Sequence, residues 1–205
     1  MRVAVVGGTG SFGQAVAKRL VDAGVEVVIG SRDAERAREA AGPLGAEGAA
    51  NEDAVRGVDL VVLAVKADAA VETAAQLRGA IGGTPVLSPC AELSFGPGGV
   101  KPTEASTSIA QRIQAELDAP VAAGLHSLAA SNLEDEAPDE DALVCGDDEN
   151  AKALALDLAA RLVSGRAVDC GPLASARALE GMTAVVVNVN KRYKAHAGLR
   201  VTGLG

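Results

Sequence analysis

The sequence predicts an α/β fold, a Rossmann-type mainly parallel sheet with helices on both faces, plus a small C-terminal α/β part. Three observations carry this. Short runs rich in β-branched residues recur along the 205-residue chain, segments of helical period separate them, and the runs are continuously apolar instead of alternating. A strand that is apolar at every position is covered on both faces, as in a parallel sheet between two helix layers.

Arg2 to Gly7 is the first such run, and the glycine-rich turn Gly8-Thr9-Gly10-Ser11-Phe12-Gly13 follows it directly. Phe12, Val16 and Leu20 then recur every four residues, which puts them on one face of a helix that Gly24 can end in a left-handed conformation. Val25 to Ile29 is the second apolar run and completes a parallel βαβ unit. A helix near Asp33 to Ala41, a Gly/Ala-rich connection and a short helix near Asn51 to Arg56 follow. Leu60 to Val65 reads as a buried strand, Ala67 to Leu77 as a helix and Pro85 to Leu87 as a strand.

A long glycine-bearing loop around Ser94 to Pro102 leads to a helix carrying Ile109, Ile113 and Leu117, and then to a strand at Val121 to Leu125. Between Asn132 and Asp141, acidic residues and Pro138 replace apolar periodicity, which reads as a surface connection. The division expected is therefore residues 1–131 as a dinucleotide-binding domain and 132–205 as a small C-terminal domain. The latter holds a strand near Ala142 to Cys145, a helix with Leu154, Leu158 and Leu162, a strand at Arg166 to Asp169 and a helix from Leu173 to Val189. Asp147 and Asp148 read as caps of the Leu154 helix, where carboxylates favour the helix N-terminus.

Composition narrows the functions open to such a fold. A net charge of −8 argues against nucleic acid, whose binding rests on lysine and arginine neutralising phosphates. No apolar run reaches the roughly 18 to 20 residues that cross a bilayer, and the first residues enter a strand without a secretory pattern, so no membrane partner and a cytoplasmic location are expected. Cys90, Cys145 and Cys170 are odd in number and widely spaced, which fits free thiols rather than a disulfide framework or zinc site. With no Trp, one Tyr and two Phe, cofactor rings must rest mainly on aliphatic side chains and backbone.

The glycine turn carries the chemistry. A lone G-x-G-x-x-G is a weak signal, but here it follows a strand, opens a helix and precedes a second strand at the spacing of a compact βαβ unit. Gly8 suits a tight turn, Gly10 lets backbone approach a pyrophosphate, and Gly13 lets helix and strand pack closely. The first-turn N–H groups then hold the anion. NAD-binding units usually end the second strand with Asp or Glu, whereas this chain has Gly30-Ser31-Arg32. Ser31, Arg32 and Arg36 offer a hydroxyl and two guanidinium forks to a 2′-phosphate, which favours NADP(H). The plainer reading, in which these arginines only solvate a helix start beside Asp33 and Glu35, stands next to it.

The stretch Val5-Val6-Gly7-Gly8-Thr9-Gly10, Gly13, Leu20, Gly24 and Glu26-Val27-Val28-Ile29-Gly30-Ser31-Arg32 resembles the NADPH-dependent reductases of the deazaflavin coenzyme F420. Further echoes at Ser88-Pro89, Leu125-His126-Ser127, Val144-Cys145-Gly146-Asp147-Asp148 and Cys170-Gly171-Pro172-Leu173, with Arg177 following, extend the resemblance over almost the whole chain. The resemblance implies hydride transfer between NADP(H) and F420, with the deazaflavin in the cleft between the two parts. It implies Thr9, Ser11, Phe12, Ser31, Arg32 and Arg36 on NADPH, and Val65, Ser88, Pro89, His126 and Ala130 among the cofactor-binding residues. The family often has Lys where Arg36 stands. Two departures are visible: Lys66-Ala67 replaces a Pro and a bulky aromatic, and the tail from Lys191 to Gly205 is a basic variant.

Hydride transfer between two bound rings needs orientation and exclusion of water, so no nucleophile or metal cluster is required, and none is expected. His126, at a strand end, has two readings: a donor to the deazaflavin, or a cap on local backbone. Cys90 lacks a basic neighbour in sequence and is not expected to be a nucleophile. The basic cluster Lys191, Arg192, Lys194 and Arg200 either receives an acidic ligand tail or compensates a helix dipole. The apolar segment Ala184 to Val189 is either a homodimer contact or a core helix. A reductase of another small acceptor (carbonyl, imine or flavin) and a non-catalytic NADP(H) sensor remain as alternative functions.

Overall fold

The computed structural model describes residues 1–204. Ten strands and seven α-helices follow in the order β1 (Arg2–Val6), α1 (Ser11–Asp22), β2 (Glu26–Ser31), α2 (Ala34–Ala41), β3 (Glu47–Ala50), α3 (Asn51–Ala54), β4 (Leu60–Leu63), α4 (Ala67–Ile81), β5 (Val86–Ser88), β6 (Leu93–Gly96), β7 (Gly99–Pro102), α5 (Ile109–Glu116), β8 (Val121–Gly124), β9 (Ala142–Gly146), α6 (Glu149–Leu162), β10 (Ala167–Asp169) and α7 (Ala176–Tyr193).

Eight strands form one sheet in the order β10-β9-β8-β5-β4-β1-β2-β3. From β3 to β8 every pairing is parallel, and this half has the doubly wound strand order of the Rossmann fold. The order in which successive strands are added reverses between the parallel neighbours β1 and β4, the switch point at which a crevice opens outside the carboxyl ends of such strands. Two apolar clusters, one per face, build the core: α1, α2 and α6 cover Val3, Val5, Ile29 and Val62, while α3, α4 and α5 cover Ala4, Val6, Val61 and Leu63. The α/β class and the helices on both faces are as the sequence predicts.

Residues 132–204 continue the sheet of the first part. β9 pairs antiparallel with β8, and β10 pairs parallel with β9, so both extend the sheet begun by the first 131 residues. The reason is that β8 leaves its outer edge open, and Ala122, Ala123 and Gly124 pair there with Gly146, Cys145 and Val144. α6 then packs on the same face as α1. The chain after α7 is tied to this edge as well: buried Asp141 accepts from the backbone N–H groups of Arg166 and Val201 and pairs with the Arg166 guanidinium at 2.9 Å.

Three further differences have local causes. β3 replaces the expected Gly/Ala-rich connection: a Cβ at Gly48 would lie 2.5 Å from the backbone of Ala37, so this strand is glycine- and alanine-rich because α2 rests directly on it. The loop at Ser94 to Pro102 is mostly an antiparallel hairpin of β6 and β7. The last helix begins at Ala176, after a 3₁₀ turn at Leu173–Ser175 whose Leu173 N–H donates to the Asp147 carboxylate at 2.9 Å. Asp147 thus anchors that turn, and Asp148 is the cap of α6, accepting from Ala151 N–H.

Candidate functional site

The turn after β1 is built by glycine packing. Gly7, not Gly8, takes the left-handed conformation, with φ of 82°, and its N–H donates to the Gly30 carbonyl. Gly8 is needed for close approach instead, since a Cβ there would lie 2.9 Å from Ile29 Cγ2 and from the Val5 carbonyl oxygen. A Cβ at Gly13 would come within 2.5 Å of the Gly7 carbonyl oxygen, so only glycine lets α1 approach β1 this closely. Gly10 differs: it is extended, and a Cβ on it would meet only the Gly7 oxygen at 3.4 Å. Among the described residues no side chain caps α1, so its first-turn N–H groups lack a side-chain partner, beside half-buried Thr9 and exposed Ser11.

At the end of β2, Ser31 is buried and its hydroxyl accepts from the Asp33 N–H at 3.3 Å. Asp33 is the N-cap of α2 and accepts from the N–H groups of Glu35 and Arg36. Glu35 pairs with Arg38 at 3.6 Å. The two carboxylates nearest in sequence are therefore engaged elsewhere, and among the described residues neither Arg32 nor Arg36 forms an ion pair; both are exposed.

Beyond the turn, the ends of β4, β5 and β8 enclose an apolar hollow of about 250 Å³ lined by Phe12, Val65, Pro89, His126, Leu93 and Thr183, among others. Ser88 lies behind it, fully buried at the end of β5, and its hydroxyl does not reach the lining. Ala130 sits in the 3₁₀ turn Ala130–Asn132, also outside the lining. Of the expected residues, Phe12, Val65, Pro89 and His126 thus come together in one hollow, while Ser31, Arg32 and Arg36 gather at the neighbouring β2 end.

His126 is held from two sides. Its Nε2 lies 3.1 Å from the Cys90 carbonyl oxygen, and its own carbonyl accepts from the Thr183 hydroxyl at 2.8 Å. A carbonyl only accepts, so the ring proton is on Nε2, and Nδ1 is a bare, buried acceptor. Burial lowers the imidazole pKa to about 4, so the ring is neutral. Of the two readings of His126, the geometry fits the cap on local backbone: its one N–H is used in tying the end of β8 to the segment after β5. Leu125, just before it, is one of two non-glycine residues with positive φ, at 68°, a strained conformation that these two bonds hold in place. Cys90 is buried, its thiol pushed up to about 12 by desolvation, and it donates to backbone carbonyls of Leu63 and Val65, so it is inert.

Sequence reasoning missed Thr183 and Leu93. No motif marks a threonine within an apolar helix, and Leu93 comes from the hairpin that reads as a loop.

Because the folded-state pKa of His126 lies below the unfolded value near 6.5, the unfolded chain binds the extra proton between these limits. Stability is thus fully present above about pH 6.5 and falls toward pH 4, by at most roughly 1.4 kcal/mol per pH unit. The pairing of Asp141 with Arg166 depresses that carboxyl and adds loss only lower, below the ordinary carboxylate range. Urea midpoints across pH 4 to 7 check this: His126→Asn should flatten the slope in that window, and an unchanged slope contradicts the buried neutral imidazole.

Comparison with known proteins places this architecture. Residues 2–92 match the family model described as NADP oxidoreductase coenzyme F420-dependent. Over the full chain, the sequence is 36% identical to the F420-dependent NADP reductase of Methanothermobacter thermautotrophicus, covering 96% of that protein, and 34% identical to that of Methanocaldococcus jannaschii, covering 99%. The crystal structure of a putative F420-dependent NADP reductase from Arthrobacter sp. FB24 superposes with a TM-score of 0.82 at 27% identity, over 99% of this chain and 100% of that one. With full-length identity at this level on a shared doubly wound sheet, the chain belongs to the F420-dependent NADP reductase family.

Proposed function

We propose that this protein transfers a hydride between NADP(H) and the deazaflavin coenzyme F420. The observation that carries the reading is the apolar hollow at the strand ends, continuous in chain and space with the glycine turn through Phe12, which belongs to both. The residues present fit both groups: an extended, unobstructed Gly10 and an uncapped α1 suit a pyrophosphate, and two unpaired guanidinium groups suit a 2′-phosphate. Aliphatic walls suit flat rings in a chain so poor in aromatics.

When bound, the two cofactors supply the donor and acceptor carbons of the hydride transfer. The protein orients and dries the site. Gly8, Thr9, Gly10, Ser11 and Gly13 seat the dinucleotide, Ser31, Arg32 and Arg36 select its phosphorylated form, and Phe12, Val65, Pro89 and His126 wall the ring site. Ser88 supports that wall from behind, and Ala130 flanks it from the turn after β8. His126 shapes the wall through its bonds to Cys90 and Thr183 and gives no proton. Residues 1–131 carry the dinucleotide site, and residues 132–205 complete the acceptor side through Thr183. The free thiols at Cys90, Cys145 and Cys170 support a cytoplasmic location, and among the described residues no helix is long and apolar enough to cross a membrane. Val185, 61% exposed on the apolar α7, supports a homodimer formed through that helix.

Direct transfer has a specific test. With stereospecifically deuterated NADPH, the label should arrive on the deazaflavin carbon in the unmutated protein and in His126→Ala alike. The variant should lose less than the roughly 10²- to 10⁴-fold that removal of an acid–base group costs. Loss of label to water rejects direct transfer, and complete inactivity of the folded variant rejects the orienting role.

A further inference from the structure

The ring site does not end at His126. A second hollow of about 350 Å³ lies beside the first and shares Ala67, Ala91 and Leu93 with it, so the two form one trough that runs outward under the β6–β7 hairpin. A two-stranded hairpin is marginal on its own. This one is latched to α7: the Asn188 side chain accepts from the Val100 N–H at 2.8 Å and donates to the Val100 carbonyl at 2.6 Å, completing the backbone bonds of a strand that has no further neighbour. β6 is thereby fixed as the outer wall of the trough. Leu93 and Phe95 share one face of it, since side chains alternate along a strand.

Phe95 is 67% exposed and lines the outer hollow. The chain has only three aromatic residues, and two of them, Phe12 and Phe95, line this one trough. The Lys191 ammonium lies 5.4 Å from the centre of the Phe95 ring, and Lys66 lines the same hollow from the start of α4. Two carboxylates also line it. Glu92 is neutralised by Arg112 at 2.9 Å and accepts from the Thr103 hydroxyl, and Asp68 lies in the first turn of α4, where the helix dipole favours it. Among the described residues, neither Lys66 nor Lys191 has a carboxylate within ion-pair distance. In a chain of net charge −8, the outer trough thus combines an exposed ring with Lys66 on its lining and Lys191 over that ring, both without a carboxylate partner among the described residues, beside an Asp68 that likewise forms no ion pair.

We propose that Phe95, Lys191 and Lys66 form a subsite for an anionic tail carried by the ring-bearing acceptor, so that the hairpin selects tailed over tail-less deazaflavins. This rests on the acceptor being a deazaflavin. Phe95 covers the extended part of the ligand and holds Lys191 over the trough by a cation–π contact, and the two ammonium groups meet phosphate or carboxylate oxygens.

Fluorescence titration with two probes tests it: coenzyme F420, and the corresponding deazaflavin ending at its ribityl alcohol. The unmutated protein should bind F420 more tightly than the tail-less form at low salt, with the gap closing as ionic strength rises. Lys66→Glu with Lys191→Glu should weaken F420 by roughly tenfold or more, as like charges face the tail, with tail-less deazaflavin and NADPH within about twofold. Phe95→Ala should weaken F420 in the same direction while thermal melts stay unchanged, because its side chain is exposed. An equal loss for both deazaflavins, or no loss for F420, overturns the subsite while leaving the hydride-transfer reading intact. Failure of the unmutated protein to bind either deazaflavin overturns both.

Discussion

Replacing Arg32 and Arg36 together by alanine is expected to weaken NADPH binding at least about tenfold while leaving NADH within about twofold. A charge-assisted hydrogen bond to a phosphate contributes about 1.5 to 3 kcal/mol, and each 1.4 kcal/mol is a tenfold change in affinity. Solvent exposure of both side chains puts the expected loss toward the lower end of what two such contacts give. The effect falls on the phosphorylated cofactor alone because Asp33 and Glu35 are committed to the N-cap and to Arg38, and the guanidinium groups have no structural partner to lose. For the same reason the melting temperature without cofactor should stay unchanged. Calorimetric titration with both dinucleotides decides it. Equal losses for NADPH and NADH sink the phosphate assignment.

The second large effect separates two glycines of one turn. Gly10 has extended backbone that any residue adopts, and a Cβ there finds open space apart from one 3.4 Å neighbour. Gly10→Val should therefore fold normally, yet its side chain occupies the path of the pyrophosphate, so the stabilising shift with NADPH should vanish. Gly13→Ala acts oppositely. Its Cβ would sit 2.5 Å from the Gly7 carbonyl oxygen, backbone against backbone, so α1 must lift from β1. Overpacking of this kind costs roughly 1 to 3 kcal/mol, and a chain of this size loses about 2 to 4 °C of melting temperature per kcal/mol. Thermal melts with and without NADPH read both outcomes. A Gly10→Val protein that still gains stability from NADPH shows that the turn does not hold the phosphates.

The elements legible in the sequence are those whose signal is local. β1, the glycine turn, α1 and β2 announce themselves through apolar runs, a four-residue period and a left-handed Gly24, and the structure has all of them. β3 was illegible because its glycine and alanines are there for contact with α2, a tertiary reason that leaves no apolar run. The β6–β7 hairpin was illegible because its stability comes from Asn188, some 88 residues away. The boundary near Asn132 is a real change of composition, but composition does not say that β9 returns to pair with β8. At the site, the family resemblance implied His126, Pro89 and Val65, and all three line one hollow. Which nitrogen of His126 carries the proton depends on where the Cys90 carbonyl lies, and no spacing in the sequence encodes that.

One measurement tests the central claim most directly. Purified protein is mixed with oxidised F420 without oxygen, NADPH is added, and the visible absorbance of the deazaflavin is followed. Hydride transfer predicts a protein-dependent loss of that absorbance, faster with NADPH than with NADH and much reduced in Gly10→Val. Unchanged absorbance with a protein that demonstrably binds NADPH contradicts transfer to the deazaflavin.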